Sequence, residues 1–192
     1  MRDLIGAPAD TPLVVADSDD QAALAHLVAS ARVVLSTVGP YQLYGEPLVR
    51  ACAIRGTDYV DLCGEPLWMR DMINRYDAQA QQTGARIVFS GGFDSVPFDL
   101  GVLMLQAEAT RRFGCPAPRV KGRIRVLKGR FSGGTAASLE TTSQAAAADP
   151  SLAERMKNPF ALTPGFEGVA QPLADVPLFD ELGSAVRDGD DQ

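Results

Sequence analysis

The stretch Val33-Val34-Leu35-Ser36-Thr37-Val38-Gly39-Pro40-Tyr41 decides how the rest of the chain is read. It opens on a short apolar run and turns at once small and polar. A strand covered by helices on both faces reads as such an unbroken run, without alternation. Three other runs share the pattern. Leu13-Val14-Val15-Ala16 is followed by Asp17-Ser18, Tyr59-Val60-Asp61-Leu62 by Cys63-Gly64-Glu65-Pro66, and Ile87-Val88-Phe89 by Ser90-Gly91-Gly92-Phe93-Asp94-Ser95. Ligands of open parallel sheets bind beyond the carboxyl ends of the strands, where small residues let them approach the backbone. Four such ends on one sheet edge make a ligand crevice.

Helical patterns separate the runs. Asp19 and Asp20 can cap a helix with the stripe Ala23, Leu24, Leu27 and Val28. Gly45-Glu46-Pro47 opens the next, which buries Leu48, Val49 and Cys52 and stops at Gly56. A third carries Met69, Met72, Ile73, Tyr76 and Ala80 at helical spacing and stops at Gly84. A fourth follows Pro97 with Leu100, Leu103, Met104 and Ala107, and Asp94-Ser95 can cap it. Strand and helix in alternation imply a parallel sheet with right-handed crossovers.

Beyond this the pattern changes. Val120, Ile124 and Val126 alternate with Lys121, Arg123 and Arg125, as in a half-exposed antiparallel strand beginning an α+β domain. The basic stripe reads as a solvated strand face, or as a surface for an acidic substrate or partner. A helix is predicted from Thr135 to Ala148, and Ser132-Gly133-Gly134-Thr135 can cap it or hold an anion. From Asp149 on, Pro150, Pro159, Pro164, Pro172 and Pro177 predict irregular structure, and the acidic end Arg187–Gln192 predicts disorder. The expected division is residues 1–112, a partial dinucleotide-binding domain, and residues 113–192, a partial second domain for substrate or dimer contacts.

Composition removes several function classes. The chain has 192 residues and a net charge of −6, which argues against a general nucleic-acid binder. No run approaches the ~18 apolar residues of a membrane helix, and the N-terminus lacks a signal pattern, so a cytoplasmic protein is expected. Cys52, Cys63 and Cys115 form no C-x-x-C pair, and the single histidine, His26, sits in a helical pattern. Zinc sites and histidine-dependent nucleophilic triads are discounted on that count.

Read in order, the strand-end motifs resemble a known family. Ser36–Tyr41 with Tyr44-Gly45, then Gly56-Thr57-Asp58-Tyr59-Val60-Asp61-Leu62, Gly64-Glu65, and Gly92-Phe93-Asp94-Ser95-Val96-Pro97 are similar to segments of the saccharopine-dehydrogenase-like oxidoreductases. The nearest branch is that of the trans-acting enoyl reductases. The resemblance implies a Rossmann domain that binds NADP as NADPH, with Asp17, Ser36, Thr37, Val38, Gly39, Pro40, Gly64, Glu65, Gly92 and Phe93 lining the cofactor cleft. It implies Tyr41 as proton donor, with Asp94 second, and a small-molecule or lipid-linked substrate. A homodimer and peripheral attachment to a membrane are left open.

One feature of that family is missing: the strand, glycine-rich loop and helix that grip the pyrophosphate. The first strand here corresponds to strand three of the order 3-2-1-4-5-6, so Leu13–Ala16 lacks its neighbour and Val33–Leu35 has a bare edge. The expectation is an incomplete Rossmann-type sheet, from a misplaced start or a truncated gene, whose own catalytic activity is doubtful. Three functions compete: a reductase fragment, a non-catalytic remnant that binds a partner through its bare edge, and, last, a methyltransferase using S-adenosylmethionine.

Overall fold

A computed structural model describes residues 4–126, 128–129, 132–149, 151–152, 155, 158, 160–163 and 165–166. Residues 1–162 form one unit and residues 163–192 a second. In the second, the described residues hold a turn in which the Phe166 N–H donates to the Thr163 carbonyl at 3.2 Å. The five prolines from Pro150 on and the acidic end lie outside the described residues.

Three strands form one parallel sheet in sequence order: β1 (Val33–Ser36), β2 (Asp58–Asp61) and β3 (Ile87–Val88). Val33 lies opposite Asp58, Ser36 opposite Asp61, and Tyr59 opposite Ile87, so the carboxyl ends are nearly level. Helix α1 (Gln21–Ala29) precedes the sheet. Helices α2 (Tyr41–Tyr44) and α3 (Glu46–Arg55) cross from β1 to β2, and α4 (Pro66–Thr83) crosses from β2 to β3. Helices α5 (Val96–Phe113) and α6 (Gly133–Ala148) follow.

The ends of these helices follow from local chemistry. The Asp20 carboxylate accepts the N–H groups of Ala22 and Ala23, both at 3.0 Å, and so satisfies two orphan donors of α1. Helix α3 stops where Gly56 turns left-handed, φ 83°, and donates to the Cys52 carbonyl at 3.0 Å. A side chain at Gly56 would also come within 2.9 Å of the Thr83 carbonyl oxygen, so the turn locks α3 against the end of α4.

The core lies on one side of the sheet. Val28 of α1, Val49 and Cys52 of α3, and Trp68, Met69 and Met72 of α4 pack with Tyr59, and Val34, Ile87 and Phe89 join them. The other side is open: Val33, Leu35 and Val88 are each at least half exposed. Helix α5 buries no residue, and Leu100, Leu103 and Met104 are 55%, 64% and 67% exposed.

Several readings from the sequence change here. Leu13–Ala16 pairs with no strand among the described residues; it runs as exposed coil, with Val15 98% exposed. A strand is defined by its hydrogen-bonded neighbour, and none among the described residues lies beside these. The described part of 119–128 is likewise coil, with no partner strand to make it antiparallel. Ser95 holds the N-cap position of α5 without a side-chain cap bond. The helix expected over 135–148 forms from Gly133, and the Ser132 hydroxyl accepts the Thr135 N–H at 3.1 Å.

Candidate functional site

The carboxyl ends of β1, β2 and β3 are tied together by two buried carboxylates. Asp61, fully buried at the end of β2, accepts the N–H of Cys63 at 3.0 Å and that of Ser90 at 2.9 Å through one oxygen. Its other oxygen accepts the Tyr59 hydroxyl at 2.9 Å. Burial raises the Asp61 carboxyl above its usual range, and the Cys63 and Ser90 amides oppose that rise. One side chain thus fixes the turn after β2 and the turn after β3.

Glu65 does the same work one turn later. It is 3% exposed, and its carboxylate accepts the N–H groups of Tyr41 and Gln42 at 2.9 and 2.8 Å. The Ser138 hydroxyl of α6 donates to it at 2.7 Å, and the Gln42 side-chain amide reaches the Thr142 hydroxyl at 3.2 Å. Ser138 and Thr142 are four residues apart on one face of α6, so that face seats the helix on the loop after β1. The Glu65 carboxyl group lies at the amino end of α2, where the first N–H groups have no partner within the helix.

Tyr41 closes the network. Its hydroxyl donates to the Ser36 carbonyl at 3.1 Å and accepts the Leu62 N–H at 3.3 Å, which bridges the ends of β1 and β2. Burial raises its pKa, partly offset by the Leu62 amide. The ring lies tilted against Trp68, centroids 5.6 Å apart, and Trp68 meets Phe89 edge-on at 5.5 Å. Among the described buried side-chain nitrogen and oxygen atoms, Trp68 Nε1 stands without a hydrogen-bond partner.

The turn after β3 is held in a shape that few residues adopt. Ser90 has φ 56°, and its hydroxyl donates to the Cys63 carbonyl at 2.6 Å. A Cβ at Gly91 would fall 2.6 Å from Val60 Cγ1, and one at Gly92 would fall 2.9 Å from Leu62 Cδ2. These glycines let the turn cross closely over the end of β2.

The residues picked out by sequence divide into three groups. Ser36, Pro40, Tyr41 and Glu65 are buried in the network, with Gly39 half-buried beside them; the Gly39–Pro40 peptide is cis. Thr37, Val38, Gly64, Phe93 and Asp94 are exposed along the same sheet edge, and Gly92 is half-buried among them. Asp17 stands apart: its carboxylate accepts the Asp19 N–H at 3.0 Å in the turn that enters α1. Sequence reasoning missed Asp61 as a site residue, together with Ser138 and Thr142. A carboxylate inside the apolar run Tyr59–Leu62 was the available signal, because a buried charge requires dedicated donors.

Comparison with known proteins adds to this geometry. Residues 10–88 match the family described as saccharopine dehydrogenase NADP binding domain. Over 180 residues, 92% of this chain and 43% of the relative, the chain is 43% identical to a Mycobacterium tuberculosis protein whose name places it among the trans-acting enoyl reductases. It is 42% identical over 165 residues to the trans-acting enoyl reductase of Mycobacterium ulcerans, covering 85% of this chain and 40% of the relative. With the enzyme of that name from Mycobacterium bovis the identity is 41% over 156 residues, 81% of this chain and 37% of the relative. The chain therefore spans less than half the length of these relatives. No solved structure matches it.

Proposed function

Residues 10–88 belong to the saccharopine dehydrogenase NADP-binding domain family, and on that premise we propose that this chain carries the nicotinamide end of the cofactor cleft of an NAD(P)H-dependent oxidoreductase. The substrate class is a lipid-linked enoyl or a related small carbonyl or imine compound, in keeping with the names of the relatives. One observation carries the reading. Three strand ends stand abreast, held from below by Asp61 and Glu65, and present exposed Val38, Leu62 and Phe93 with the open backbone of Gly64. Exposed apolar side chains beside a glycine with open space around it suit a planar ring that approaches the backbone closely.

The fit is uneven along the cofactor. The nicotinamide and its ribose suit Thr37, Val38, Gly64, Gly92 and Phe93. The turn from Leu13 to Gln21 does not suit a pyrophosphate: it has no glycine and carries Asp17, Asp19 and Asp20. Asp20 already occupies the amides of Ala22 and Ala23 at the start of α1. A bound dinucleotide would supply a hydride; the chain's own residues orient, shield and move a proton. Of the two acids, Tyr41 has its hydroxyl proton engaged on the Ser36 carbonyl, which suits positioning, whereas Asp94 is exposed at the sheet edge. The proton-donor role of Tyr41, with Asp94 second, belongs to the same proposal. The division into a cofactor part, 1–112, and a part for substrate or dimer contacts, 113–192, belongs to the same proposal.

The test is a titration with NADPH, followed by nicotinamide fluorescence, of this chain and of the full-length Mycobacterium ulcerans relative. The relative binds, and aspartate in place of the residue aligned with Val38 weakens binding about tenfold or more, since a carboxylate against the ring costs ~1.4 kcal/mol or more. A relative that does not bind NADPH overturns the reading. A second reading, a non-catalytic interaction module, is favoured by the exposure of α5; binding of a protein partner at α5 by a chain that ignores NADPH would support it.

A further inference from the structure

Charge is unevenly placed along this chain. Residues 109–139 hold eight of its 18 Lys and Arg and none of its 24 Asp and Glu. An acidic protein thus contains one purely basic segment. Arg111 and Arg112 at its start are held by Glu108 on the same helix. Arg119, Lys121, Arg123, Arg125 and Lys128 belong to coil, and the last three present exposed side chains.

The residues between the cations carry the rest of the argument. Ile124 is 51% exposed and Val126 70% exposed, and Phe113, at the end of α5, is 77% exposed. Gly122 and Gly129 bracket them, with nothing within 4 Å of where a Cβ would be. A nucleic-acid strand would be gripped by aromatic platforms between the cations, and here the residues interleaved from Arg123 to Lys128 are aliphatic. Basic and aliphatic side chains exposed together on one short coil segment suit a surface that is anionic outside and apolar just beneath, where Lys and Arg reach phosphates while aliphatic groups enter the acyl boundary. No helix among the described residues is long and apolar enough to cross a membrane, so contact would be at the surface.

We propose that Arg123, Ile124, Arg125, Val126 and Lys128 form a docking strip for an anionic phospholipid bilayer, with the three cations on the headgroups and Ile124 and Val126 in the acyl boundary. The acids elsewhere in the chain are repelled by the same surface, which leaves this strip as the favoured contact. The inference does not depend on cofactor binding.

Co-sedimentation of the whole chain with vesicles tests it, using mixed phosphatidylglycerol–phosphatidylcholine vesicles against phosphatidylcholine alone. The chain is expected to sediment with the mixed vesicles only, and less so as salt rises. Each cation near such a surface strengthens binding about fivefold. The variant Arg123→Glu/Arg125→Glu/Lys128→Glu therefore loses at least ~100-fold. Ile124→Ser/Val126→Ser weakens binding at every salt concentration. All five positions are exposed, and an unchanged circular dichroism spectrum confirms the fold of each variant. No sedimentation, equal sedimentation with neutral vesicles, indifference to the charge reversal, or equal affinity for single-stranded RNA overturns the proposal.

Discussion

Helices α4 and α5 are equal in length and alike in their ends. Each spans 18 residues, carries proline in its first turn and stops at a left-handed glycine, Gly84 or Gly114. Yet α4, which is rich in Asp, Arg and Gln, buries Trp68, Met69, Met72 and Ala80, whereas α5, with Val96, Phe98, Leu100, Val102, Leu103, Met104 and Leu105, buries nothing. The difference teaches that composition does not decide burial. Helix α4 returns across a sheet face that needs covering, and its apolar residues fall on one stripe. Helix α5 is apolar almost all round, the pattern of a helix meant to be enclosed, but no described element encloses it.

Truncating the buried helix breaks the comparison open most sharply. Trp68→Ala removes a ring packed against Tyr41 and edge-on to Phe89 and is expected to cost ~3–5 kcal/mol in urea unfolding. Leu103→Ala on α5 should stay within about 0.5 kcal/mol. A cost above ~2 kcal/mol for Leu103→Ala would mean that α5 is covered in solution.

Glycine sharpens the contrast by reversing sign. At Gly45 an added Cβ would lie 2.6 Å from Trp68 Cζ2 and 2.8 Å from the Tyr41 carbonyl oxygen, so Gly45→Ala should destabilise by ~1–3 kcal/mol. At Gly101, inside α5, nothing lies within 4 Å, so Gly101→Ala should stabilise by ~0.5–1 kcal/mol through helix propensity alone. Thermal melts of the two variants should shift in opposite directions.

Titration gives the smallest contrast. Burial holds the Asp61 carboxyl above its ordinary 3.8, so the unfolded chain ionises first as pH rises. Stability attached to Asp61 is therefore lost as pH climbs from 3.8 through the raised folded value, and restored on acidification. Asp61→Asn should remove that slope from urea midpoints measured across the acid range. On α5, Arg111 and Arg112 lower the pKa of exposed Glu108, so its contribution has the opposite sign and fades in salt. A Glu108→Gln effect as large as that of Asp61→Asn would erase the distinction.

Much of the sheet was legible in the sequence. The runs at Val33, Tyr59 and Ile87 became strands, and Gly56 and Gly84 ended helices as their position implied. Leu13–Ala16 and residues 119–128 had equally good patterns and did not become strands. A pattern records which side chains tolerate a pleat, whereas a strand also needs a neighbour's amides and carbonyls, which no local reading supplies. The site was legible as a set of turns. That Glu65 would spend its oxygens on Tyr41, Gln42 and Ser138 was not, because the last of these lies 73 residues away. Asp61 went unread for the same reason: its donors, Cys63 and Ser90, stand on two different turns.

The close crossing at Gly91 has a consequence for inheritance. Every missense change at that codon adds a Cβ, and every Cβ meets Val60 Cγ1 at 2.6 Å, with the Asp61 carbonyl oxygen at 3.3 Å behind it. No conservative substitution exists there, because the objection is to having a side chain at all. Gly64, on the same sheet edge with open space around it, has no such restriction. A saturation library should return an almost empty column at position 91 and a well-filled one at 64. The glycine that can drift and the glycine that cannot are told apart by the room each was given, not by the letter they share.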